Sequence, residues 1–233
     1  MGDDLLGSPG PDGQVDALSK VVVQIDRWFA RTVSAVIVKS AEMADVVKPV
    51  PAHVIPNGVD MNEFRPLDPH GARKALGWPE GARYILFPGN PDNPRKGYAL
   101  AQPAVTRAAT QLKQPLQLIP LRNVSPAQVP LYMNACDAMV MTSLIEGSPN
   151  VVKEAMACNL PVIAVPVGDV VELLHDVPGY RICPRNVQSL ADALVATLMT
   201  STNVDGRTAI KRRKLDLESV AQRLMAIYEE VLQ

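Results

Sequence analysis

Short, fully apolar runs alternate along this chain with stretches whose apolar residues recur every three to four positions. The runs have the length of buried strands, and the stretches have the period of amphipathic helices. Tyr84-Ile85-Leu86-Phe87, Leu116-Gln117-Leu118-Ile119, Ala138-Met139-Val140-Met141 and Pro161-Val162-Ile163-Ala164-Val165 read as strands, with a further one around Tyr180-Arg181-Ile182. Between them, helices are expected over Gly97–Leu112, Pro130–Cys136, Pro149 to about Cys158, Val170–Leu174 and Val187–Met199, and a last one from Ala209 to Leu232. Strands that alternate with helices of this length predict an α/β chain with a Rossmann-like, doubly wound parallel sheet.

Upstream, the pattern is less regular. Residues 1–13 have no periodicity and read as a loop. Val15 to Val33 is helical, with Leu18, Val21, Val22, Ile25, Trp28, Phe29 and Val33 near one stripe, so Trp28-Phe29 is expected in a core or a subunit contact. Ser34–Val38 is strand-like, and Ala41–Val47 suits a short helix capped by Ser40. Lys48-Pro49-Val50-Pro51 breaks that helix and marks a domain boundary, giving units 1–48 and 49–233. A short strand (His53–Pro56), a turn (Asn57–Asp60) and a small helix (Gly71–Leu76, ended by Gly77) lead into the regular alternation.

Composition narrows the class. Hydrophobic residues make up 47% and charged residues 20% of the 233, a globular balance. The formal net charge of −1 offers no electrostatic case for nucleic acid or an anionic membrane. The run Lys211-Arg212-Arg213-Lys214 is expected as a solvated helix face, and membrane contact is not indicated. No apolar run approaches the ~20 residues of a membrane span, and an acidic, Gly/Pro-rich start is unlike a signal peptide. Cys136, Cys158 and Cys183 lack metal-ligand spacing and read as reduced core residues of a cytoplasmic protein. The three histidines are scattered, His70 and His175 in loops, and no acidic pair or His/Cys cluster offers a metal site.

Chemistry is expected around Asp137–Gly168, DAMVMTSLIEGSPNVVKEAMACNLPVIAVPVG. In an open α/β sheet, ligands sit beyond the carboxyl ends of strands, against helix N-termini. Here a strand ends at Thr142-Ser143, and the turn Glu146-Gly147-Ser148 feeds a helix opened by Pro149 and capped by Ser148. Gly147 lets a ligand approach the backbone beside Glu146, and Glu154 stands eight positions further along. By spacing alone, Glu154 is equally readable as a solvated helix carboxylate. Arg95-Lys96, ahead of the helix opened by Gly97, combine two cations with free N–H groups and suit a phosphate. The loop has no GxxxxGK[ST] pattern and is not a Walker A loop.

Together these segments resemble the C-terminal donor domain of the GT-B glycosyltransferases, specifically the retaining family 4. The likeness centres on EGSPNVVKE followed by AMACNLPVIAVPVGDVVELL, with FPGNPDNPRKG, VIPNGVDMNEF and VPLYMNACDAMVMTS in support. It implies sugar transfer from a UDP- or GDP-linked nucleotide-sugar with retention at the anomeric carbon, without a metal or any other cofactor. In that likeness Lys96 neutralises the leaving diphosphate with help from Arg95, and Glu146 faces the donor sugar. Gly147, Ser148, Asn150 and Val151 hold sugar hydroxyls or the diphosphate, Glu154 accepts from the ribose hydroxyls, and Asn123-Val124 lie where the base packs. Asn90 stands where the family often has arginine, and Asn159 where it usually has a helix-ending glycine.

The resemblance also implies that residues 1–48 are a remnant of the N-terminal acceptor domain. Without its sheet, the stripe carrying Trp28 should be exposed and favour homo-oligomers through residues 14–48. The acceptor is left open. An alternative is a nucleotide-sugar-binding module that needs a separate acceptor subunit for catalysis.

Overall fold

The computed structural model describes residues 17–200 and 204–232; the expected loop at 1–13 lies outside them. In chain order the elements are α1 (Ala17–Phe29), β1 (Ile37–Val38), α2 (Ala41–Val46), β2 (His53–Val54), α3 (Pro69–Leu76), β3 (Arg83–Phe87) and α4 (Tyr98–Leu112). There follow β4 (Leu116–Pro120), α5 (Val129–Ala135), β5 (Ala138–Met141), α6 (Asn150–Ala157), β6 (Val162–Ala164) and α7 (Val170–Leu174). β7 (Arg181–Ile182), α8 (Val187–Met199), α9 (Gly206–Arg212) and α10 (Leu217–Val231) complete the chain.

Five strands form one parallel sheet in the order β4-β3-β5-β6-β7. The chain goes outward from β3 to β4, then returns to the other side of β3 with β5, so the order reverses between β3 and β5. Such a reversal opens a crevice at the carboxyl ends of the two strands.

Strand side chains alternate between two cores, as a sheet covered on both faces requires. Tyr84, Leu86, Met139, Met141, Val162 and Ala164 face α5, α6, α7 and α9. Ile85, Phe87, Ala138, Val140, Ile163 and Val165 face α4 and α8. All four residues of β5 are buried, which accounts for its unbroken apolar run.

Local boundaries have local causes. Ser40 caps α2 as expected, its hydroxyl accepting from the Met43 amide at 3.3 Å. α3 starts at Pro69, because the Asp68 carboxylate accepts from Gly71 N at 2.8 Å; His70 therefore sits in a helix, not a loop. The expected helix over Ala209–Leu232 is two helices. Lys214 has a φ of 53°, Leu215 is buried, and Asp216 bridges in parallel to Val59 before capping α10. The basic run is thereby broken: Arg213 lies beyond α9 and donates to the His175 carbonyl at 2.8 Å.

β1 and β2 pair in parallel, Ile37 with His53 and Val38 with Val54, so the small sheet takes strands from both sides of Pro49. α10 covers it through Val220, Leu224 and Ile227, which meet Ala35, Ile37 and Ile55. Among the described residues α1 has no such cover. Leu18, Val21, Ile25, Trp28 and Phe29 are each more than half exposed, so Trp28-Phe29 is not a core contact within the described residues. No helix among them is long and apolar enough to cross a membrane.

Candidate functional site

The loops after β3 and β5 meet over the crevice at the order reversal. After β3, Asn93 caps a single 3-10 turn, Pro94–Lys96, its side chain accepting from Arg95 N at 3.1 Å. Gly97 closes that turn at φ 71° and stands at the head of α4. It lies so close to the Thr142 carbonyl that a Cβ would overlap it. Leu144 N donates to Arg95 O at 2.7 Å, and the Thr142 hydroxyl lies 3.0 and 2.9 Å from the carbonyls of Lys96 and Gly97. Arg185, from the turn before α8, donates to the carbonyls of Thr142 and Ser143 at 2.7 and 2.8 Å.

This stitching brings Lys96 against Glu146. Their Nζ–Oε1 distance is 2.7 Å, and both side chains remain partly open to solvent. Behind them, Gly168 at φ 53° lies against the carbonyls of Glu146 and Gly147 with no room for a Cβ, and Asp169 N donates to Gly147 O at 3.0 Å. The Glu146–Ser148 turn is thus held by the Gly168–Asp169 main chain on one side and by the Lys96 side chain on the other.

Ser148 does not cap α6. Pro149 holds that position, without a side-chain hydrogen bond. The serine hydroxyl instead accepts from the Lys153 ammonium at 3.1 Å, because Lys153 is wholly buried and needs acceptors more than the helix end does. Lys153 also donates to the Asn57 carbonyl at 2.8 Å. Asn57 reaches on to Asn150, Nδ2 to Oδ1, at 3.3 Å.

Burial dominates the electrostatics here. It raises the Glu154 carboxyl to about 7, partly offset by Lys153, and so Glu154 is not a solvated helix carboxylate. It raises Asp169 to about 6, opposed by Ser148 and Lys153, and lowers Lys153 to about 8, opposed by Asp169 and Glu154. The cysteines are all buried and free, their thiols pushed up by desolvation, Cys158 to about 12 and Cys183 to about 11. None has the low pKa of a thiolate nucleophile. Among the described residues no group of three or more His, Cys, Asp or Glu is placed to hold a metal ion.

The expected site residues share one rim. Asn90, Arg95 and Lys96 follow β3, and Asn123 (φ 54°) and Val124 follow β4. Glu146, Gly147 and Ser148 follow β5, and Asn150, Val151 and Glu154 lie on α6. Asn90 turns its side chain to its own loop, accepting from Asp92 N at 3.0 Å. With no side-chain cap, the first amides of α6 are open to an anion beside Lys96. Sequence reasoning missed Lys153, Asp169, Asn57 and Arg185. For Lys153 a signal existed, since it lies four residues from both Pro149 and Ala157, on a buried face of α6. The other three act through the tertiary fold. Beside Gly168 and Asp169 a cavity of about 400 Å³ opens toward Lys39 and Ser40.

Residues 101–200 match the family model described as glycosyl transferases group 1. The D-inositol 3-phosphate glycosyltransferase of Mycobacterium leprae is 29% identical over 232 residues, covering 89% of this chain and 52% of its own length. The chain spans about half the length of the curated relatives it matches. Sucrose-phosphate synthase from Thermosynechococcus elongatus superposes with a TM-score of 0.77 at 20% identity, over 100% of this chain and 66% of that one. Anabaena HepE in complex with UDP-glucose superposes with a TM-score of 0.67 at 21% identity, over 99% of this chain and 71% of that one. The chain is therefore similar over residues 101–200 to the glycosyl transferases group 1, and its five-stranded parallel sheet has the architecture of the Rossmann-like C-terminal domain of GT-B glycosyltransferases.

Proposed function

We propose that this chain forms the donor side of a retaining glycosyltransferase of family 4, moving a sugar from a nucleotide-sugar to an acceptor hydroxyl. The observation that carries this reading is the Lys96–Glu146 pair at the order reversal, beside the open N-terminus of α6. In the transfer, the bond from the anomeric carbon to the diphosphate oxygen breaks, and a bond to the acceptor oxygen forms on the same face. The acceptor proton leaves toward the diphosphate, whose growing charge is met by Lys96, Arg95 and the α6 amides. Preorganised charge of this kind is worth about 2.7–4 kcal/mol per donor in other enzymes. Glu146 holds the donor sugar once Lys96 turns to phosphate. Glu154 accepts from the ribose hydroxyls, and Asn123-Val124 take the base. Because HepE is known with UDP-glucose, UDP is the first nucleotide to try. The exposed stripe of α1 is the surface we assign to contact between copies.

Calorimetric titration of UDP, GDP and ADP, and of their sugars, tests the donor reading. One nucleotide should bind selectively, and Glu154→Ala should weaken it roughly 10- to 100-fold, as loss of a charged hydrogen bond does. If the wild type binds none of them, the reading falls.

A further inference from the structure

Lys153 is the one charged residue among the described residues with no solvent exposure, and the mechanism proposed above leaves it without a task. Its ammonium sits at a junction of three segments. It donates to Asn57 O in the turn entering the five-stranded unit, and to Ser148 Oγ in the turn after β5. The carboxylate of Asp169, at the head of α7, acts on it most strongly of the nearby charges. The Asp169 main chain in turn holds Gly147, and its Oδ1 is buried without a hydrogen-bond partner. Burying an ammonium is costly, and removing it alone would strand Asn57 O, Ser148 Oγ and the Asp169 carboxylate without their cation. What the charge adds is direction: it fixes one hydroxyl, of Ser148, and one carbonyl, of Asn57, from segments far apart in the chain.

We propose that Lys153 is a positioning residue for the donor sugar, coupling the turn at Asn57 to the Gly147–Ser148 turn. This rests on the donor reading for its ligand, but the coupling itself is a property of the two turns. The split it implies follows from the layout. The sugar lies against the Glu146–Ser148 turn, whereas the nucleoside is held by Glu154 and the rim after β4. Lys153 therefore governs the sugar end of the ligand and leaves the nucleoside end alone.

Lys153→Met keeps the length of the side chain and removes the charge. It should melt below wild type, because Asn57 O, Ser148 Oγ and Asp169 lose their cation, yet bind UDP within about threefold of wild type and UDP-glucose about tenfold more weakly. GDP and GDP-mannose serve as the parallel pair. Lys153→Gln removes the charge but keeps hydrogen-bond donors at the junction; it should show the same split, which decides the matter if Lys153→Met fails to fold. Equal weakening of nucleotide and nucleotide-sugar, or no weakening of either, overturns the proposal. Amide exchange gives a readout that needs no ligand. Peptides spanning 55–60 and 146–152 should both exchange faster in Lys153→Met, and unchanged exchange in either one overturns the coupling. If the wild type binds no nucleotide, the donor reading fails, and the exchange result still decides whether Lys153 joins the two turns.

Discussion

The five-stranded unit and the segment before it solve the same problem with different success. In the first, both faces of every central strand are covered, and Ile85, Leu86, Met139, Val140 and Ile163 have no solvent exposure. In the second, a two-residue strand pair is covered by α10 and the short α2, and α1 leaves Trp28 64% exposed. The apolar period of α1 is as clear as that of the buried helices. Periodicity therefore reports which face a helix has available for burial, and the surrounding elements decide whether burial happens. Three variants press on this contrast.

The largest effect is expected where the five-stranded unit has no slack. Gly97→Ala combines a left-handed backbone with overlap on the Thr142 carbonyl. Strain and overpacking of about 1–3 kcal/mol each together cost roughly 3–5 kcal/mol. In a chain of this size that lowers Tm by about 10 °C, read by thermal melting. A shift under about 2 °C would mean the two loops can part freely and the contrast is overdrawn.

A smaller effect is expected at Glu154. Its folded pKa of about 7 exceeds the ordinary 4.5, so the folded state holds the proton more tightly than the unfolded chain between those values. Stability is then greatest below about pH 4.5 and declines as pH rises to about 7. Asp169, raised from 3.8 to about 6, adds a decline of the same sign at slightly lower pH. Glu154→Gln should flatten the part of this slope that belongs to Glu154, gaining about 3 kcal/mol at pH 8 and almost nothing at pH 4. Urea midpoints at the two pH values measure it; equal gains at both would remove the titration from the explanation.

The smallest stability effect is expected on α1. Val21→Gln, Ile25→Gln and Trp28→Gln together should move Tm by less than about 5 °C, since exposed substitutions change stability by about 0.5 kcal/mol or less each. In sedimentation, the wild type should associate with rising concentration and the triple variant should not. A large drop in Tm would show that the stripe has a partner within its own chain.

Much of the fold was legible because buried parallel strands declare themselves. Ala138–Met141 and Val187–Met199 are bounded in the structure as their residues suggest. The elements misread are those decided at long range. Nothing in the apolar period of Ala209–Leu232 reveals that Asp216 must bridge to Val59, a contact that unwinds four residues. Ser148 has the right chemistry and place for a cap, yet a buried lysine takes its hydroxyl. The rim residues could be gathered from motif spacing because loops at the carboxyl ends of neighbouring parallel strands must lie together. The supports beneath them, Lys153 and Asp169, were hidden because charged residues are ordinarily read as surface.

The grip of Gly97 and Gly168 on neighbouring carbonyls has a consequence for redesign. Both contacts are made by main chain and leave no side chain to vary. The outline of the crevice is therefore inherited with the fold, while its lining is free to change at Asn90, Asn123 and Asn150, all exposed. A library meant to alter which sugar or base is accepted should spend its diversity on those three positions and leave the glycines fixed.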